Sequence, residues 1–166
     1  GNGMTLPSGP LREDINNLKF YDNIFLNGNE ENLVDIINKI KKINPDININ
    51  HGKYVPMNID EFDKNQNYLA FSGIGNHKTF IDMLQNNKLK IINDLEYPDH
   101  YQYSKKDIDE IIHNAKKSNA KIITTEKDYL RLNNFNINKI SYIKSSLKIL
   151  DENNFVKKLI ELNEKN

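Results

Sequence analysis

Apolar residues recur along this chain at two spacings, one near 3.6 residues and one of two. In "NEENLVDIINKIKKIN", Leu33, Ile36, Ile37, Ile40 and Ile43 fall on one helical face, with Asn29 as cap and Pro45 as stop. Before it, "FYDNIFLN" (Phe20 to Asn27) reads as a strand that Gly28 ends. In "INININHGKYVPM", Ile47 and Ile49 alternate with Asn, the pattern of an extended, half-exposed strand. Tyr68 to Phe71 is a short apolar run entering a glycine turn at Gly73 and Gly75, and Phe80, Ile81 and Leu84 mark the helix that follows. "KLKIIND" supplies the next strand. Ser104 with Asp107 is an acidic variant of the capping box, and its helix carries Ile108, Ile111, Ile112 and Ala115. "AKIITT" is a short buried strand, "EKDYLRL" a helical turn or short helix, "KISYIK" another strand and "ENNFVKKLIEL" a closing helix. Alternating strands and helices predict an α/β fold around a mostly parallel sheet. Gly3, Pro7, Gly9 and Pro10 break any regular element near the start, which gives a turn-rich arm over 1–19 and an α/β domain over 20–166.

Composition narrows the function classes. The 166 residues suffice for one domain, or one domain plus a tail. The formal net charge is zero, so no global field draws the chain to nucleic acid, and no nucleic-acid partner is expected. The absence of cysteine removes disulfides and thiolate zinc sites and fits a reducing compartment. No apolar run approaches the roughly 20 residues of a membrane span, so no transmembrane segment is expected in this chain. It opens on Gly1-Asn2-Gly3 in a loop-like stretch, which suggests a fragment or a separated domain.

Three polar clusters fall at the carboxyl ends of predicted strands: "SGIGNH" (Ser72 to His77), "PDHY" (Pro98 to Tyr101) and "TTEKD" (Thr124 to Asp128). Parallel neighbouring strands would bring them to one rim, where ligands of open α/β sheets bind. Gly73-Ile74-Gly75 either lets backbone approach a phosphate at a helix N-terminus or forms a tight turn needing positive φ. Lys78, where a dinucleotide motif has its third glycine, favours the turn. Asp99-His100 is either a catalytic pair, with the histidine acting as a base or orienting one, or a local turn capped by Asp99. No second ligand stands at a metal-binding spacing, so no metal site is expected. His51, His77 and His113 read as structural or exposed. Thr124 or Thr125 can cap the following helix while Glu126 and Asp128 complement its dipole, and Arg12-Glu13 is uninformative alone.

The order of four blocks adds what none carries singly. "TLPSGPLRE", "FSGIGNHKTFIDML", "PDHYQYS" and "TTEKDYLRL" resemble, in that order, the tetraacyldisaccharide 4'-kinase (lipid A 4'-kinase) family, whose versions look like LPAGPLRE, AGIGNPxRF, PDHH or PDHY, and TTEKDxV(K/R). The resemblance runs from Gly1 to about Leu132 and thins over the last 30 residues. It implies ATP-dependent phosphorylation of the 4'-hydroxyl of the tetraacyl disaccharide 1-phosphate precursor of lipid A, peripherally on the cytoplasmic face of the bacterial inner membrane. It also implies a two-domain P-loop kinase, with a nucleotide-binding N-terminal domain and a smaller α/β C-terminal domain to which this chain corresponds. The sequence holds no G-x-x-x-x-G-K-[ST], so ATP and Mg²⁺ are implied for a complete enzyme and not for tight binding by this chain. The implied partners are the N-terminal P-loop domain, the lipid A disaccharide precursor and, through that upstream part, the inner-membrane surface.

Residue by residue, the resemblance makes His100 catalytic, orienting an aspartate base that lies upstream, with Asp99 as its support. It makes Arg12 and Glu13 cofactor-binding, the first towards phosphate charge and the second towards Mg²⁺ or a partner cation. Gly73, Gly75, Glu126, Lys127 and Asp128 match motif positions that contact substrate or shape the domain. Position 77 is His where the family has Pro, which marks that turn as structural. The competing expectation is a non-catalytic α/β remnant or interaction module. A stand-alone hydrolase built on Asp99-His100 lacks a recognisable nucleophile.

Overall fold

A computed structural model describes residues 5, 12–28, 30–132, 135 and 137–164, and among them the apolar rhythms become seven strands and five α-helices. In chain order these are β1 (Asn23–Asn27), α1 (Glu30–Ile43), β2 (Asn48–Pro56), β3 (Asn67–Ser72), α2 (His77–Asn86) and β4 (Lys90–Glu96). There follow α3 (Lys105–Lys117), β5 (Lys121–Thr125), α4 (Glu126–Arg131), β6 (Ile140–Ile143), β7 (Ser145–Ile149) and α5 (Glu152–Asn163). The chain divides into two compact units, Gly1–Tyr54 with Leu147–Asn166, and Val55–Ser146. No helix among the described residues is long and apolar enough to cross a membrane.

The first unit holds a three-stranded sheet in the order β1-β2-β7. β1 and β2 run parallel, from Asn23 opposite Asn48 to Asn27 opposite Gly52, with α1 as the crossover between them. The strand expected from Phe20 starts later, at Asn23. Ile15–Phe20 instead forms a 3-10 helix capped by Asp14, and the Asn44 side chain donates to the carbonyls of Leu18 and Tyr21 just ahead of the strand. β7 had no counterpart among the expected elements. Its first four residues are exposed, so it carries little apolar alternation to read. Asn29 and the turn formers Gly3, Pro7, Gly9 and Pro10 lie outside the described residues.

The second unit holds a four-stranded sheet in the order β4-β3-β5-β6, parallel throughout. Central β3 is buried on both faces, and its alternation sends side chains to two cores. Leu69 and Phe71 pack with Ile108, Ile111 and Ala115 of α3, while Tyr68 and Ala70 pack with Phe80, Ile81 and Leu84 of α2. Fully burying a Leu, Ile or Phe side chain of this kind contributes about 1.5–3 kcal/mol relative to exposure. The α/β architecture with a mostly parallel sheet is therefore observed. The chain steps from β3 outward to β4, returns across the opposite face to β5 and continues to β6. Strand order thus reverses beside β3, and a crevice is expected outside the carboxyl ends of β3 and β5. The three polar clusters of the sequence end there.

Candidate active site

Thr125 ends β5 and caps α4. Its hydroxyl accepts from the Asp128 backbone N–H (3.1 Å) and donates to Asp128 Oδ2 (2.6 Å). The Asp128 side chain is fully buried and accepts three further donors: the Gly73 N–H at 3.1 Å, the Tyr103 hydroxyl at 3.2 Å and Arg131 Nη1 at 3.0 Å. A buried carboxylate is tolerated when its lone pairs are filled in this way. Asp128 therefore does more than complement a helix dipole: it ties the end of β3 to α4. Glu126 and Lys127, in the same turn, are exposed. Burial, reinforced by the neighbouring Asp128 charge, raises the Tyr103 pKa far above that of an ordinary phenol and keeps it a neutral donor. Its ring stands edge-on to Phe71, Tyr97 and Tyr101, with centroids 5.1–5.5 Å apart. Burial also pushes Tyr97 up to about 12.

This aromatic floor carries the Pro98–Tyr101 turn. Gly73 is needed there for close approach: a Cβ on it would lie 3.1 Å from the Pro98 carbonyl oxygen, Tyr101 Cβ and the Tyr103 hydroxyl. The expectation of a glycine turn with positive φ is corrected, because neither Gly73 nor Gly75 has one. The left-handed residue of the rim is His100, at φ 60°. Its backbone N–H donates to the Gly73 carbonyl (3.1 Å), as Tyr97 N–H does to the Ser72 carbonyl (2.9 Å), so the turn is stitched to the end of β3. A side-chain-bearing residue in this conformation costs about 1–2 kcal/mol, and such residues cluster at functional sites.

The His100 side chain is 80% exposed. Its Nδ1 lies 3.1 Å from Arg131 Nη2, while Arg131 Nη1 donates to the Gly73 carbonyl at 2.9 Å. Asp99 Oδ2 is 3.9 Å from His100 Nε2, too far for a hydrogen bond, and the same oxygen would stand 3.4 Å from a Cβ on Gly75. Asp99 and His100 are thus neighbours on the rim without being directly bonded. His100 is joined instead through Arg131 to buried Asp128.

The other histidine of this rim is arranged differently. His77 Nδ1 lies 2.7 Å from Ser72 Oγ and its Nε2 2.9 Å from Asp94 Oδ2, bracing β3, α2 and β4 together. The order Ser-His-Asp invites comparison with a nucleophilic triad, but Ser72 has no exposed surface and cannot reach a substrate. His77 is the first residue of α2 after its Asn76 cap, the helical position proline favours. The proline that the resemblance leads one to expect at this position would suit the same helical site.

Arg12 and Glu13 belong to the first unit, where both are exposed and Glu13 accepts from the Tyr21 hydroxyl at 3.1 Å. Among the described residues no group of three or more His, Asp or Glu is arranged to hold a metal ion. The second unit thus brings Gly73, Gly75, Asp99, His100 and Asp128 to one rim, with Thr125 as the helix cap expected for it, and adds Tyr103 and Arg131, which the sequence did not single out. The spacing of Thr125, Asp128 and Arg131 at three-residue intervals was the available signal, since such residues share a helical face.

The model of the family described as LpxK, tetraacyldisaccharide-1-P 4'-kinase, matches residues 1–164. A tetraacyldisaccharide 4'-kinase of Pelagibacter ubique (strain HTCC1062) is 76% identical over 166 residues, all of this chain and 53% of that protein. The enzyme of the same name from Rickettsia akari (strain Hartford) is 39% identical over 140 residues, 83% of this chain and 41% of that protein. The chain spans about half the length of the curated relatives it matches. The crystal structure of the "apo" form of LpxK from Aquifex aeolicus in complex with ATP aligns with 95% of this chain and 47% of its own, at a TM-score of 0.52 and 22% identity, a likeness of fold. The rim at the ends of β3 and β5, the four ordered motifs and these matches lead to one conclusion: the chain belongs to the tetraacyldisaccharide-1-P 4'-kinase family.

Proposed function

We propose that this chain is the carboxy-terminal portion of an ATP-dependent kinase that phosphorylates the 4'-hydroxyl of the tetraacyl disaccharide 1-phosphate precursor of lipid A. The other half supplies the P-loop, the Mg²⁺-binding acids and contact with the cytoplasmic face of the inner membrane. This chain supplies His100. The observation carrying the reading is that His100 combines an exposed ring with a left-handed backbone held by Gly73 and Arg131. Phosphoryl transfer depends chiefly on positioning and electrostatics, so a rigidly placed imidazole that orients the base acting on the sugar hydroxyl matters strongly. Asp99 supports the charge of this rim from 3.9 Å. Arg12 and Glu13 are assigned to phosphate and cation contacts, and Glu126 and Lys127 to the substrate side of the motif. By itself the chain binds ATP weakly.

The test is His100→Ala in the full-length protein. The expected result is a kcat lowered about 10²–10⁴-fold with an unchanged melting temperature. Wild-type turnover would remove the catalytic assignment and leave the chain as a folded interaction module.

A further inference from the structure

We infer that Arg131 is a positioning residue for His100: anchored on buried Asp128, it fixes the imidazole with its hydrogen on Nε2, so that His100 meets its partner as a hydrogen-bond donor. The inference rests on the reading of His100 as catalytic and adds a residue and a protonation state to it.

Three contacts define the guanidinium. Nη1 donates to Asp128 Oδ1 at 3.0 Å and to the Gly73 carbonyl at 2.9 Å, and Nη2 lies 3.1 Å from His100 Nδ1. Asp128 is fully buried and the Arg131 side chain only 19% exposed, so the planar fork is held by groups that cannot move without unpacking the unit. Arginine has donors and no acceptor, and Nδ1 must therefore accept. In the neutral ring the hydrogen then sits on Nε2, the nitrogen that makes no hydrogen bond among the described residues. The backbone is fixed from the same anchor, since the Gly73 carbonyl that takes Arg131 also takes the His100 N–H. Backbone and ring are thus clamped by one network that starts at Asp128.

The chemical consequence is specific. An imidazole in this state does not take a proton at Nδ1, which Arg131 occupies, and offers Nε2–H to an acceptor. Its partner is therefore an oxygen of a carboxylate, a phosphate or the sugar. His100 aims or charges that oxygen and is not itself the base.

Two measurements on the full-length protein test this. In ¹⁵N-resolved NMR of the His100 ring, the wild-type protein is expected to show an unprotonated Nδ1 and a protonated Nε2 in the neutral form. Arg131→Met is expected to lose that preference. In steady-state assays Arg131→Met lowers kcat about 100-fold, the scale of a roughly 1 Å misplacement, while KM for ATP and for the disaccharide is unchanged. In a His100→Ala background the same change has no further effect. Arg131→Lys keeps a charge against Asp128 but cannot span all three contacts, so it folds as wild type with an intermediate kcat. This second variant decides the matter should Arg131→Met fail to fold. A hydrogen found on wild-type Nδ1, or wild-type kcat in folded Arg131→Met or in Arg131→Lys, overturns the inference. If His100→Ala is inactive while both Arg131 variants are fully active, the positioning role falls and the catalytic reading stands. If His100→Ala is itself active, the catalytic reading falls.

Discussion

Two histidines that follow neighbouring strands of one sheet stand in opposite environments. His77 is buried and bonded at both ring nitrogens, to Ser72 and Asp94, on the first turn of a regular helix. His100 is exposed, bonded at one ring nitrogen and held in a left-handed backbone conformation. At His77 every contact lowers the energy of the fold. At His100 the fold carries strain, and the contacts from Gly73 and Arg131 maintain it. An arrangement that costs local stability and leaves a titratable group facing outward supports the catalytic role proposed for His100.

The largest effect on this contrast should come from Asp128, which anchors Arg131 and the end of β3 beneath His100. Asp128→Ala strips the acceptor from Gly73 N–H, Tyr103, Thr125 and Arg131 at once. Breaking such a buried pair is expected to cost about 3–5 kcal/mol, read by chemical denaturation. His77→Ala comes next. It leaves the buried Ser72 hydroxyl without its partner and opens a cavity, for about 2–3 kcal/mol. Below its melting temperature this variant should keep wild-type kcat, and a large loss of kcat there would erase the distinction between the two histidines.

The smallest effect concerns the far end of the turn. Asp107 accepts from the Ser104 hydroxyl and backbone, which hold its carboxyl below the ordinary range. Because its folded pKa is depressed, its stabilisation is present above the ordinary carboxylate pKa and is lost as pH falls through the lower folded value. Asp107→Asn is expected to lose about 1 kcal/mol near neutrality and to flatten stability against pH in that acid window. An unchanged acid profile would mean that the cap does not contribute.

Much of the fold was legible because its signals are local. Ile108, Ile111 and Ala115 repeat at helical spacing, Ser104 and Asp107 announce the cap, and the apolar run at Tyr68–Phe71 marks the central strand. β7 was not legible, since its exposed residues lack a buried face to encode. The rim was half legible. Its three clusters could be placed at strand ends, but the bonds that organise it join Gly73 to Asp128 and His100 to Arg131, 55 and 31 residues apart. Those pairings exist only once β3, β4 and β5 lie side by side. For the same reason the glycine doublet suggested a positive φ that belongs instead to His100: steric need for a glycine arises from the neighbouring turn, which sequence alone does not bring near.

The most direct test of the central claim replaces His100 by glycine in the full-length protein and measures stability and turnover together. Glycine adopts φ 60° without the side-chain penalty but adds flexibility to the unfolded chain. The expected result is an unfolding free energy equal to wild type or up to about 1 kcal/mol higher, with kcat lowered as far as in His100→Ala. A glycine variant that turns over substrate at the wild-type rate, or one that unfolds several kcal/mol more easily, would contradict it: the first would make His100 dispensable for chemistry, and the second would make it a structural residue like His77.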